Sequence, residues 1–257
     1  MHTKEELKRD LLALGIRPGD TVLIHSSYKS MGGIEEGAKG FFDTVMELLG
    51  EEGTLVIPTL SFSTVTRDNP YFDRNETPSC VGYLTEYFRT SVEGVKRSFH
   101  ATHSCAAWGK HRDYLIDGHE LDRTPVGENS PFHKLPKLGG TILMIGCRAD
   151  SNTSFHGIEE TAEPPFLFRR ENPIHYTMRD GERVIEMDAH RHYFLVNGVH
   201  LLQRYSRILP LLNEEELRVG KLLDANCYLM DAVSVWKKGR DKMLEDPYFF
   251  VEDPPRK

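Results

Sequence analysis

Three short apolar runs set the frame of this chain: Thr21-Val22-Leu23-Ile24-His25, Thr54-Leu55-Val56-Ile57-Pro58 and Thr141-Ile142-Leu143-Met144-Ile145. Each is bounded by polar, glycine-containing turns, as expected of strands covered on both faces in an α/β sheet. Between the first two, Phe41, Val45, Leu48 and Leu49 recur at helical spacing and Gly50 ends the pattern, so this part reads as a βαβ unit with parallel strands. Thr3 and Glu6 form a capping-box pattern for a helix that stops near Gly15, ahead of the turn Pro18-Gly19-Asp20. Further helices are expected over Gly82–Arg89 and Asp113–Gly118, and a small strand over Cys105–Gly109. Ser130 with Pro131 reads as a helix cap followed by the first helical position. Ser61–Thr77 is a long polar and aromatic excursion of the kind that often carries function. After Pro164-Pro165 the runs His175–Met178 and Arg183–Met187 alternate about Asp180-Gly181, which predicts a β-hairpin. Helices are then expected around Phe194–Leu209 and from Asn213 to about Trp236, with a frayed end from Asp253.

A length of 257 residues allows a sizeable core in one large domain, or a domain with an appendage. The net charge of −7 argues against nucleic acid as the main partner and fits a cationic small molecule. No run approaches the ~18 apolar residues of a membrane span, and the start of the chain has no secretory apolar segment. Four widely spaced cysteines without a CxxC pattern are expected to be free thiols in a reducing cytoplasm.

The pair with most chemical content is His156 and Glu159, three apart and just past the Gly139–Gly146 run. Positions i and i+3 share a helix face, and a carboxylate on one ring nitrogen raises the basicity of the other, making a general base. Taken alone, the spacing is better explained as an ordinary surface pair on a first helical turn. The loop His25-Ser26-Ser27-Tyr28-Lys29-Ser30-Met31-Gly32-Gly33 directly follows a strand. It could cradle phosphates or serve as an ordinary βα connection, and it is neither a Walker A loop nor a GxGxxG fingerprint. Arg97, Ser98, His100, His103 and Ser104 crowd a second loop, suited to anion contacts or to simple solvation. A metal site from His100, His103, Cys105 and His111 matches no zinc spacing and is disfavoured. Asp150, Glu159, Glu160, Glu163 and Asp188, with Asp73 and Glu76 in the long excursion, would form a negative cleft for a polyamine if they converge; separately they read as scattered carboxylates. Cys105 and Cys147 sit in apolar runs, where inert thiols are expected. GxSxG and HExxH are absent, which disfavours an α/β-hydrolase and a zincin. No role is assigned to His190-Arg191-His192.

In order, Val22–Ser27 with Gly32-Gly33, Gly53–Thr59, Phe72-Asp73, Thr77-Pro78-Ser79, Gly82–Arg89, Arg97–His100, Ser130-Pro131, Gly139–Gly146 and Asn152–Glu160 resemble the aminoglycoside 3-N-acetyltransferase family, in the branch found in bacilli and other Gram-positive bacteria. The resemblance implies a three-layer α/β/α sandwich with a central mixed, largely parallel sheet and a smaller mixed subdomain with the hairpin, distinct from the GNAT acetyltransferases. It implies one domain over 1–257, with a core and CoA site in 1–165 and the hairpin and C-terminal helices of 166–257 completing it. It implies acetyl-CoA as donor, a cationic amine as acceptor (typically the 3-amino group of 2-deoxystreptamine), no metal, no nucleic acid or membrane, a homodimer as candidate assembly and a cytoplasmic location. Carried over, His156 is the catalytic histidine, Glu159 its acidic partner and Ser104 a serine near the acetyl group. His25, Ser26, Ser27, Tyr28, Lys29, Ser30, Met31 and Gly32 meet pantetheine and phosphates, with Arg97 and Ser98 beside them. Asp73, Asp150 and Glu160 are left for the acceptor's ammonium groups. The expected mechanism is direct transfer, with a hydroxyl or amide near Ser104 or Ser27 holding the oxyanion. The chain departs from the family at Ala101, where Pro is usual, and along the acceptor side, Ser61–Thr77 and Pro164–His192. The alternatives are an N-acetyltransferase for a non-antibiotic amine such as an amino sugar, or a CoA-binding protein with little catalysis. An acidic cleft would favour the polycationic acceptor and its absence the non-antibiotic amine.

Overall fold

The strand Thr21–Ser26 (β1) lies at the centre of a seven-stranded sheet, because its apolar residues are needed on both faces. Val22 and Ile24 enter one core and Leu23 the other, and all three are buried. A computed structural model describes residues 1–252, so the expected frayed end from Asp253 lies outside the described residues. The first helix, α1 (Lys4–Leu14), starts at the predicted capping box, with Thr3 and Glu6 each accepting from the other's backbone N–H. α2 (Gly37–Leu49) connects β1 to β2 (Thr54–Pro58), which pairs with it in parallel as expected. The excursion after β2 contains a short strand, β3 (Tyr71–Asp73), and α3 (Tyr83–Ser91) follows. β4 (Lys96–Arg97) and β5 (Cys105–Gly109) extend the sheet antiparallel beyond β2, before the short helices α4 (Arg112–Ile116) and α5 (Pro131–Lys134). Ser130 caps α5 by accepting from His133 N, with Pro131 at the first helical position, as predicted. β6 (Thr141–Ile145) pairs in parallel with the other edge of β1 and leads to α6 (Ser154–Ala162).

The expected hairpin forms as β7 (Ile174–Asp180) and β8 (Arg183–Ala189), turning at Gly181, and β3 adds to β7 to make a three-stranded sheet. This smaller unit has its own core, including Phe72, Phe99, Tyr176 and Met178.

The two C-terminal helices expected from sequence are not as predicted. Phe194–Leu209 forms three two-residue strands, β9 (Leu195–Val196), β10 (Val199–His200) and β11 (Leu202–Gln203), followed by a 3₁₀ segment, Tyr205–Leu211, with Pro210 inside it. Asn213–Trp236 forms an antiparallel hairpin, β12 (Leu217–Leu222) and β13 (Ala225–Asp231), and only then α7 (Ala232–Glu245). β14 (Val251–Glu252) pairs with β11. β13 joins β6 antiparallel, so the sheet runs β12-β13-β6-β1-β2-β5-β4. The sheet is mixed, as expected, but its parallel pairing is confined to β6, β1 and β2. Residues 217–245 return to the first sheet, adding β12, β13 and α7 to the layers built by the preceding segments.

Helices cover both faces, giving the three layers. α1, α2 and α3 contribute Leu7, Leu11, Phe41, Val45 and Phe88 to one core, and α5, α6 and α7 contribute Phe132, Phe155, Ile158 and Val235 to the other. α6 is held tightly against α7: a Cβ on Gly157 would lie 2.4 Å from the Trp236 ring and 2.8 Å from Val126. Truncating buried Phe155 to Ala would cost about 3–5 kcal/mol and release the helix that carries His156. No helix among the described residues is long and apolar enough to cross a membrane.

Candidate functional site

α6 begins shortly after the C-terminal end of β6, the end at which open α/β sheets place ligands. Its i, i+3 spacing brings His156 Nδ1 to 3.1 Å from Glu159 Oε2. Glu159 is fully buried, while His156 keeps a partly exposed ring. A third group, absent from the sequence reading, closes the arrangement. Tyr205, from the 3₁₀ segment, places its hydroxyl 2.9 Å from Glu159 Oε2 and 3.1 Å from His156 Nδ1. One pattern satisfies all three contacts: the Tyr205 O–H donates to Glu159, and a proton on His156 Nδ1 is shared between the carboxylate and the phenol oxygen. That fixes the tautomer and leaves a lone pair on Nε2. Burial pushes the Glu159 carboxyl above its ordinary range, opposed by the bonds from His156 and Tyr205. Burial also holds the Tyr205 hydroxyl well above its usual value, so it stays protonated and donating.

His156 opens into a cavity of about 630 Å³ beside the ends of β1, β2 and β6. His25 and Ser26 from β1, Pro58 from β2, Asn152 before α6, and His103, His192 and Tyr205 from distant segments line it. Asn152 is buried; its Oδ1 accepts from Ser154 N, and its Nδ2 has no partner among the described residues. His25 Nε2 is likewise buried and unpartnered, and burial depresses the imidazole to about 3, so it is neutral.

The aminoglycoside 3-N-acetyltransferase family model matches residues 23–244 of this sequence. The chain belongs to this family. A prophage-derived aminoglycoside N(3')-acetyltransferase-like protein of Bacillus subtilis, YokD, is 32% identical over 247 residues, covering 88% of this chain and 87% of the relative. Aminoglycoside N(3)-acetyltransferase IV of Salmonella is 29% identical over 254 residues, 98% of this chain and 91% of that protein. A crystal structure of aminoglycoside acetyltransferase AAC(3)-IVa, a mutant in complex with a gentamicin, superposes with a TM-score of 0.79 at 27% identity, covering 99% of this chain and 92% of that one. The family consists of enzymes whose co-substrate is acetyl-CoA.

Set in the family's fold, the residues expected at the site divide into two groups. His156, His25, Ser26 and Asp150 line the cavity, and Glu159 stands directly behind His156. Burial alone would raise the Asp150 carboxyl, but bonds from Ser206 and Arg148 bring it below its ordinary value, so it is ionised. Ser104 does not line the cavity. It is fully buried, donates to the Thr59 carbonyl at 3.0 Å and accepts from Arg97 Nε at 2.8 Å, so its hydroxyl is committed. Arg97 is buried too, with its guanidinium donating to the carbonyls of Thr59, Arg74 and Thr77; desolvation lowers it to about 9. Ser98 is bonded to His119 and to Cys105 N. These three residues clamp the β4–β5 edge.

The loop after β1 is a 3₁₀ turn, Tyr28–Met31. Met31 is a core residue, Ser30 bonds the Ser27 carbonyl, Tyr28 packs on Tyr83, and none of Ser27–Gly32 lines the cavity. Lys29 is exposed, and Gly32 takes a left-handed φ of 78° at the end of the turn. Ser27 N–H donates to Ile145 O at 2.8 Å, so that backbone amide is committed to the sheet. The tight approach of this loop to β6 explains Gly146, whose Cβ would fall 1.7 Å from Ser30 Oγ.

Asp73 accepts from Asn75 N and Glu76 N in the turn after β3, away from the cavity. Glu160 faces His192: its Oε1 lies 2.7 Å from His192 Nε2 and accepts from Val126 N, and burial raises the carboxyl to about 7. The expected acidic cleft is therefore reduced to Asp150, with Arg191 on the same wall. All four cysteines are free, and burial pushes Cys105 well above, and Cys147 to about 11, consistent with inert thiols.

Proposed function

We propose that this chain transfers the acetyl group of acetyl-CoA to an amine, with His156 as general base. The observation that carries the reading is the Glu159–His156–Tyr205 constellation, whose free Nε2 opens into the cavity at the strand ends. The unprotonated amine attacks the thioester carbonyl, Nε2 takes the proton released on nitrogen, and the tetrahedral intermediate collapses with CoA thiolate as leaving group. That thiolate recovers a proton, directly or through His156. Asn152 Nδ2, buried, unpartnered and on the cavity wall, is the donor available to the developing oxyanion. His25 and Ser26 at the end of β1 are placed for the pantetheine arm.

Family membership supports an aminoglycoside acceptor, its 3-amino group in particular. A second reading, a less highly charged amine such as an amino sugar, is favoured by one feature: among the described residues, Asp150 is the sole carboxylate on the cavity wall. Thiol release from acetyl-CoA, measured across aminoglycosides and simple amino sugars, separates the two. Release with the aminoglycosides supports the first, and release with simple amines alone replaces it with the second. His156→Ala should lower turnover by ~100- to 10,000-fold while CoA binding survives; near wild-type turnover would remove His156 from the mechanism.

A further inference from the structure

Three imidazoles meet on the cavity wall from segments far apart in sequence. His103 comes from the loop before β5, His156 from α6 and His192 from the stretch after β8. One nitrogen from each lies within 4.8 Å of the other two. Each ring has one nitrogen engaged. His156 Nδ1 is held by Glu159 and Tyr205, His192 Nε2 lies 2.7 Å from Glu160, and His103 Nδ1 lies 2.9 Å from Thr102 Oγ1. His156 Nε2, His192 Nδ1 and His103 Nε2 have no partner among the described residues.

From this geometry we propose that the His103–His156–His192 cluster binds a late divalent transition metal, zinc in the first instance. We further propose that the bound ion and acetyl transfer exclude one another. The donor chemistry fits. Zinc takes neutral imidazole nitrogens, and open sites present three protein ligands with a fourth position facing solvent or substrate. Here that position faces the cavity. Metal-bound histidines donate their second N–H to a carboxylate or similar acceptor, which orients the ring, and Glu159, Glu160 and Thr102 stand at those places. Zn–N bonds of about 2.0 Å in a tetrahedron require nitrogens about 3.3 Å apart. The cluster is therefore open by about 1 Å per ring, within the reach of side-chain rotation. A cluster that binds zinc takes the lone pair of His156 Nε2, and with it the base. This last step rests on the general-base reading; the binding itself does not.

The test begins with full-length protein freed of metal by EDTA. Zn²⁺ titration by calorimetry should give one tight site, and Co²⁺ should give the intense visible bands of tetrahedral coordination. His156→Ala and His192→Ala should each abolish that site, and Glu160→Gln should weaken it by ~10- to 100-fold. The exposed His175, which lies against Asp188 and Glu186 on the hairpin, is the competing surface site; His175→Ala should change nothing. Zn²⁺ should raise the melting temperature of the wild type by mass action, a measurement that needs no variant to fold. No Zn²⁺ binding and no melting shift in the wild type, or binding unaltered by His156→Ala and His192→Ala, overturns the site. Zn²⁺ binding that leaves acetylation running overturns the exclusion. Acetylation by metal-free wild type, lost in His156→Ala, reports separately on the base.

Discussion

Replacing Tyr205 by Phe removes a single oxygen from the centre of the site and leaves its packing in place. The ring stacks on Phe155 with centroids 4.6 Å apart and planes 8° from parallel, a contact that Phe keeps. What disappears is the O–H donated to Glu159 Oε2 at 2.9 Å, in a carboxylate with no solvent access and with Oε1 already unpartnered among the described residues. A hydrogen bond to a charged group contributes about 1.5–3 kcal/mol. Its loss should push the Glu159 carboxyl, already raised by burial, further up. A protonated Glu159 no longer supports positive charge on His156 as the amine proton arrives. The variant should thus lose ~10- to 100-fold in kcat/KM at pH 7, the rate equivalent of that hydrogen bond, with the loss shrinking as pH rises, because the acid limb of the profile moves to higher pH. Thiol release followed from pH 6 to pH 9 reads this directly, and a thermal melt confirms the fold. A Tyr205→Phe profile that overlays the wild type would refute the argument. A loss equal at every pH would also refute it, since that would make Tyr205 a substrate contact or a packing residue instead.

Other outcomes follow from the same contacts. Asn152→Ala should reduce kcat by ~100- to 1,000-fold with little change in KM if Nδ2 holds the oxyanion; an unchanged kcat removes it from that role. Arg97→Met should destabilise by about 3 kcal/mol or more, because the carbonyls of Thr59 and Thr77 lose a buried donor. It should leave the KM for acetyl-CoA unchanged in the folded fraction, and a selective rise in that KM would restore the cofactor contact. Stability should fall on acidification. Burial depresses His25 to about 3 and His100 to about 4, so between those values and about 6.5 the unfolded chain binds the extra protons and stability rises with pH. At pH 5 each of these two imidazoles costs about 2 kcal/mol relative to neutral pH. Glu160 and Asp122, raised to about 7 and about 6 by burial, act in the opposite direction. His103, His119 and His192, held well below the ordinary value, add to the acid loss. Urea midpoints that do not fall between pH 7.5 and pH 5 would contradict this.

Local chemistry in the chain was enough to place β1, α2, β2, β6, the β7–β8 hairpin and the α1 and α5 caps. Each depends on neighbours within a few residues: an apolar run, a helical stripe, a capping hydroxyl or a turn dipeptide. The His156–Glu159 pair was legible for the same reason, since three residues on a helix fix its geometry. The β12–β13 hairpin was not legible. Its turn passes through Leu223 with a left-handed φ of 55°, which no Asn-Gly or Asp-Gly signal announces.

The cavity itself belongs to the tertiary structure alone. Tyr205, His103 and His192 reach His156 from far along the chain, a proximity that no local pattern encodes. Ser104, Arg97 and Ser98 have the residue types of a binding loop. The fold buries them, and a buried hydroxyl or guanidinium must spend its hydrogen bonds on the nearest carbonyls. Sequence determined which groups could do chemistry; packing decided which of them face the cavity with a lone pair or a donor still free.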